Sequence, residues 1–144
     1  MRAARTLEEL PGWAVTALRE SRVARLGLLD DAGRPRVMPV TYAIHDGAIW
    51  SAVDRKPKLP GEPARVRYLR RRPEAALTVD RYSDDWQELC WVQALGRVDV
   101  LAVEAAPEAV EALAGKYEPY RRERPQGPLL RLTPERLLCW RAAG

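Results

Sequence analysis

Phenylalanine is missing altogether from the 144 residues, and the chain has one histidine, two cysteines and two methionines. Without Phe, aromatic surface must come from five Trp and five Tyr, whose polar ends favour a ligand or an interface over a dry interior. His45 and the widely separated Cys90 and Cys139 cannot assemble a tetrahedral metal cage, so no metal is expected. Each cysteine stands beside a Trp in an apolar run, which reads as two buried free thiols. No stretch approaches the roughly 20 apolar residues of a membrane span. The opening MRAARTLEEL carries Glu8 and Glu9 where a secretory leader needs an apolar core. A cytoplasmic protein with no membrane partner is the expectation.

The length suits one domain spanning residues 1–144, and a chain of this size buries roughly two-thirds of the surface its unfolded form exposes. The net charge of +4 comes mostly from Arg interleaved with acids. That balance fits solubility or an anionic small molecule better than a long polyphosphate track, so no nucleic-acid partner is expected.

Short apolar segments divided by turn residues dominate the pattern. After an N-terminal helix capped at Thr6 and continuing through GWAVTALRESR, three segments read as a meander of strands: VARLGLL, RVMPVTYAI and AIWSAV. EPARVRYLRRRP predicts a short helix ended by Pro73, AALTVDR a strand, and LCWVQALGRVDVLA a long strand bent near Gly96. PEAVEALAGKY has proline in its first turn and predicts a helix; PLLRLTPERLLCWRA predicts two short strands around Thr133 and Pro134. Six or seven short strands without alternating βα units point to a small antiparallel barrel.

The most suggestive stretch is SAVDRKPK, where a strand delivers three cations to one loop. A loop that only had to turn would use Gly, Asn or Ser. At about 100° per residue, the helix that follows puts Val66, Leu69 and Pro73 toward the core, leaves Arg67 and Arg71 in solvent, and sets Arg65 beside the core face. Arg65 stands in the first turn, where the helix dipole disfavours a cation. Lys56, Lys58 and Arg65 converging on a helix N-terminus would make a phosphate site. The competing reading is that Asp54 and Glu62 neutralise them as surface pairs of little worth.

Pro39 cannot donate to a β-ladder, so its strand is an edge or is bulged, either as ordinary edge chemistry or as unpaired backbone over which a flat heterocycle lies at Val40 and Thr41. Asp84 and Asp85 read as turn formers, His45 as part of a hairpin turn, and Trp91 as core. Trp86, beside two acids, is expected to be exposed and available to cover a ring or a partner subunit.

Together, PRVMPVTYAI, WSAVDRKPK, ARVRYLRRRPEAALTVDRYSDDW and RERPQGPLLRLTPERLLCWRA resemble the flavin and deazaflavin oxidoreductases of the pyridoxamine 5'-phosphate oxidase-like split-barrel superfamily, most closely the branch that uses coenzyme F420. The resemblance implies a mainly β, six-stranded split barrel with peripheral helices, working as a homodimer with cofactor sites between subunits. It places the phosphate at Lys56, Lys58 and Arg65, the ring system against Pro39, Val40, Thr41, Ser51 and Val53, and Trp86 where it would reach the other subunit's site. Where the family often has Lys-x-Arg-Asn-Leu this chain has RVRYL, so Arg65 replaces Lys and Tyr68 replaces Asn. The implied activity is hydride transfer from reduced F420 to an electron-poor small organic substrate, with the cofactor doing the hard chemistry. The alternatives are an FMN-dependent enzyme of the same fold and a non-catalytic flavin or deazaflavin binder.

Overall fold

The computed structural model describes residues 1–53 and 61–142. It is mainly β. Its strands are β1 (Arg2–Ala4), β2 (Ala24–Leu29), β3 (Pro35–Val40), β4 (Ala43–His45), β5 (Ala48–Ala52), β6 (Glu74–Arg81), β7 (Cys90–Leu101) and β8 (Leu129–Arg141). The helices are α1 (Gly12–Glu20), α2 (Ala64–Arg71), α3 (Pro107–Lys116) and α4 (Glu118–Arg122). All strand pairs are antiparallel, in the order β3-β2-β6-β7-β8-β5-β4, with β1 added to β8.

The strand order dictates the shape. β3 and β4 stand at opposite ends of the path, yet only Thr41 and Tyr42 separate them. Two residues cannot span a flat sheet of this width, because the chain advances at most about 3.6 Å per residue while each strand adds about 4.8 Å. The sheet must therefore curl until its ends nearly meet, leaving a split at the β3–β4 junction. RVMPVTYAI is thus two strands on either side of that split, and the expected three-strand meander is two separate hairpins.

The β4–β5 hairpin turns on Asp46 (φ 50°) and Gly47 (φ 72°). Two successive left-handed residues are the mirror-image turn that matches strand twist, and Asp-Gly supplies them at low cost.

The long β7–β8 pairing carries one irregularity. Leu95 faces Arg136 while Gly96 faces Pro134, leaving Glu135 without an opposite residue. A Cβ on Gly96 would stand 2.0 Å from the Thr133 carbonyl oxygen, so only glycine permits this approach. The bend expected at Gly96 is present. The two short strands expected around Pro134 are instead one strand, because a bulge accommodates a residue that cannot donate.

The N-terminal helix also starts differently from the sequence reading. Leu7–Glu9 is one 3-10 turn, Thr6 makes no side-chain cap, and α1 begins after Pro11. Glu9 satisfies that turn by accepting from the Arg5 N–H at 2.8 Å.

Alternation along the strands divides inside from outside. Ala24, Leu26 and Leu28 of β2, Leu77 and Val79 of β6, Val92 and Ala94 of β7, and Leu137 and Cys139 of β8 point inward. They meet Ala14 and Leu18 of α1 and Val66 and Leu69 of α2. A second cluster packs Ala48, Trp50 and Ala52 of β5 against Ala109, Val110 and Leu113 of α3. Tyr42 is fully buried, and its hydroxyl donates to the Leu18 carbonyl. Trp91 departs from its expected core position. It lies half-buried on the outer face opposite Trp140, and Cys90 is likewise only partly buried, whereas Cys139 is buried.

Candidate functional site

The split brings several of the expected ring contacts together. Val40 ends β3 and is buried, Pro39 is exposed on that edge strand, and Thr41 begins the crossing. β3 is the terminal strand of the path, so Pro39 needs no second neighbour to hydrogen-bond. From β5, the Ser51 hydroxyl donates to the Thr41 carbonyl at 2.7 Å, tying both sides of the split. Val53 is buried and its N–H donates to the Pro128 carbonyl at 2.9 Å. Thr41 and Ser51 are thus joined directly and Val40 and Val53 share the core, whereas Pro39 faces the opposite side of β3 from Val40.

α2 supplies the cation. Val66 and Leu69 are buried, as the helical wheel requires, and Arg65 is half-buried with Nη1 3.9 Å from Met38 Sδ of β3. Every other arginine of this segment is engaged. Arg67 and Arg71 meet Asp31 at 3.1 and 3.3 Å, and Arg70 holds Glu62 at 2.6 Å. Arg72 donates to the carbonyls of Asp30 and Asp31. Arg65 has no acid partner among the described residues, and it stands in a first turn that contains no acid and has no side-chain cap. Glu62, one of the two acids expected to neutralise it, is committed to Arg70, whose hydrogen bonds hold the Glu62 carboxyl below the usual range, and Asp54, the other, lies outside the described residues. A cation with no acid partner among the described residues, at a positive helix end, is the arrangement in which an anion would be favoured. Lys56 and Lys58, assigned to the same phosphate, lie outside the described residues.

Tyr68, in the place of the family's Asn, packs against the core while the Arg67 guanidinium lies 5.2 Å from its ring centroid. It is a packing residue here. Asp84 and Asp85 are turn formers: Tyr82 donates to Asp84 at 2.9 Å, and Asp85 accepts from the Gln87 N–H at 3.1 Å. His45 is in the hairpin turn, 3.6 Å from Glu108.

Trp86 is not brought to the other site residues within one chain. It lies in the β6–β7 connection with 68% of its surface exposed, while β2 and β6 intervene between that hairpin's far strand and β3. An open trough of about 600 Å³ on the outer face is lined by Gly27, Val37, Ala76, Leu95 and Arg136 among others, and includes none of the expected ring contacts.

Sequence reading missed the polar support behind the split. Tyr117 and Tyr120, three residues apart at the α3–α4 corner, reach consecutive residues of the crossing. The Tyr117 hydroxyl accepts from the Tyr42 N–H at 3.1 Å and donates to the Arg22 carbonyl at 2.8 Å. Tyr120 places its hydroxyl 3.3 Å from Thr41 Oγ1. Burial, partly offset by the Tyr42 N–H and the Arg22 charge, pushes the Tyr117 phenol up from its ordinary range. Lys116 lies beside them with its Nζ shielded from solvent and without a hydrogen-bond partner, 3.8 Å from the Tyr42 ring centroid. Burial, with Arg22 nearby, lowers its amine to about 8.

A curled antiparallel sheet, split between β3 and β4, defines a split-barrel protein. The family profile of pyridoxamine 5'-phosphate oxidase matches residues 11–141, and the chain belongs to that family. Solved structures share the fold. The conserved hypothetical protein Rv2991 from Mycobacterium tuberculosis superposes with a TM-score of 0.75 at 18% identity, covering 92% of this chain and 86% of that one. A FAD-binding protein from Mesorhizobium loti gives 0.67 at 21% identity, covering 96% and 95%. A heme binding protein from Mycobacterium smegmatis gives 0.70 at 18% identity, covering 91% of this chain and 51% of that one. No curated protein matches in sequence.

Proposed function

We propose that this protein is an oxidoreductase in which reduced coenzyme F420 passes a hydride to an electron-poor small organic substrate. The observation that carries this reading is Arg65: a half-buried arginine at a helix start, beside the edge strand of the split, with no acid partner among the described residues. It fits the phosphate that flavins and deazaflavins share. When bound, such a cofactor supplies the hydride chemistry, and the chain's share is binding, orientation and exclusion of water. Arg65, with Lys56 and Lys58, would hold the phosphate, and Pro39, Val40, Thr41, Ser51 and Val53 would form the wall for the ring.

FMN is the second reading, and one observation favours it. The anionic glutamate tail of F420 would need further cations, and Arg36, Arg67 and Arg70 are already matched to Asp30, Asp31 and Glu62. The Arg67 and Arg70 pairs are exposed and weak, so a tail can displace them at small cost. Titrating the purified protein with each cofactor, followed by stopped-flow oxidation of the reduced complex against quinones, nitro compounds and tetrapyrroles, separates the readings. Tight F420 binding with substrate-dependent oxidation supports the first. Exclusive FMN binding moves the assignment to the second, and cofactor binding without turnover of any substrate points to a carrier.

The homodimer is part of the proposal. The outer face of β3, β2, β6 and β7 carries Val37 at 71% exposure beside Gly27, Ala76 and Leu95, none of them in either core cluster. An apolar sheet face of this kind suits a second copy, and a two-fold arrangement would bring Trp86 toward the neighbour's split.

A further inference from the structure

The chain crosses the split on Thr41 and Tyr42, and both residues are held from behind. Ser51 Oγ donates to the Thr41 carbonyl at 2.7 Å, and the Tyr42 N–H is taken by the Tyr117 hydroxyl at 3.1 Å. These two bonds fix the backbone of the crossing. The contact between Thr41 Oγ1 and the Tyr120 hydroxyl at 3.3 Å acts instead on a side chain. Tyr120 is itself held in place, its ring edge-to-face with Tyr117 at 6.0 Å and packed on the α3–β5 cluster.

We propose that Tyr120 is a positioning residue for the cofactor, setting the Thr41 hydroxyl so that it donates to a carbonyl on the pyrimidine edge of the bound ring. The inference rests on the reading that the ring lies against Thr41. A phenol is a stronger hydrogen-bond donor than an aliphatic alcohol, and the alcohol is the better acceptor. In the proposed arrangement Tyr120 donates to Thr41 Oγ1, and the Thr41 proton turns away from Tyr120. Chains of hydroxyls polarise each other, so a Thr41 that accepts from a phenol donates more strongly in turn. Flavins and deazaflavins both carry ring carbonyls that accept such a proton.

The test is a double-mutant cycle on Tyr120→Phe and Thr41→Val, with Tyr117→Phe as a contrast. Dissociation constants for FMN and for F420, the absorption maximum of the bound cofactor, and the thermal midpoint without cofactor are measured. Tyr120→Phe keeps the ring and its packing. It should weaken binding about three- to tenfold and shift the bound-cofactor absorption. Thr41→Val should weaken binding at least as much, and the double variant no more than Thr41→Val alone. Tyr117→Phe should lower the cofactor-free midpoint, since its hydroxyl serves two backbone groups. Unchanged affinity and spectrum in Tyr120→Phe, or losses that multiply in the double variant, would overturn the inference while leaving the cofactor assignment standing. Failure of the unmodified protein to bind either cofactor would instead overturn that assignment, and this inference with it.

Discussion

Replacing Lys116 by Met should stabilise the protein, although it removes a cation held over an aromatic ring. The Lys116 ammonium has no hydrogen-bond partner and lies 3.8 Å from the Tyr42 centroid and 5.4 Å from that of Tyr117. Burial, then the charge of Arg22, brings its pKa down to about 8. Against an ordinary 10.5, a drop of that size corresponds to a penalty of about 3 kcal/mol on the charged form. The ring faces return about 1–2 kcal/mol, and Met fills a similar volume with an apolar, adaptable side chain. The net gain expected at pH 7 is about 1–2 kcal/mol.

The pH dependence fixes the sign. Because the folded-state pKa lies below the unfolded value, the unfolded chain binds more protons between about pH 8 and 10.5, so this group's contribution to stability rises across that window. The penalty is complete below pH 8 and fades above it. Urea unfolding of both proteins at pH 7 and pH 10 should show the Met variant ahead at pH 7 and the difference shrinking by pH 10. A less stable variant at pH 7, or a difference that does not change with pH, would refute the reasoning. It would mean that the two tyrosine rings more than compensate the desolvated charge.

Other consequences are equally direct. Gly96→Ala forces a Cβ to within 2.0 Å of the Thr133 carbonyl oxygen unless β7 and β8 part, so a loss of about 3 kcal/mol in urea unfolding is expected. Val37→Glu, on a side chain 71% exposed in one protomer, should leave the fold intact yet shift the light-scattering mass from twice 16.3 kDa toward the single chain. A wild-type mass of one chain would remove the dimer. Ser51→Ala unties β5 from the Thr41 carbonyl and should lower the thermal midpoint by an amount matching about 1 kcal/mol, whether or not cofactor is present.

Local signals in the sequence were faithful where structure is set locally. The wheel that turned Val66 and Leu69 inward also set Arg65 apart from Arg67 and Arg71, and the Asp46–Gly47 turn and the Gly96 bend follow from backbone freedom that few other residues have. What the sequence concealed depends on distant partners. Thr41 and Tyr42 continue the β-rich composition of RVMPVTYAI, so nothing local reveals that the chain there leaves one end of the sheet for the other. Pro134 looks like a strand break until Gly96, far away in sequence, provides the bulge opposite it. Trp91 reads as core because apolar residues surround it in sequence, but strand alternation gives the inner face to Val92 and Ala94. At the candidate site, the place of Arg65 beside the buried face of α2 was legible. The support from Tyr117 and Tyr120 was not, because it spans more than 70 positions.

The most direct measurement is the cofactor dissociation constant of the unmodified protein, Arg65→Ala and Arg71→Ala, by fluorescence titration with F420 and FMN. Arg65 is the unpaired cation of its helix among the described residues, whereas Arg71 is spent on Asp31. Loss of one charge-assisted phosphate contact should raise the constant for Arg65→Ala about ten- to a hundredfold, with Arg71→Ala close to the unmodified protein. Equal affinities in all three would contradict the placement of the phosphate at the start of α2, and with it the assignment of the split as the cofactor site.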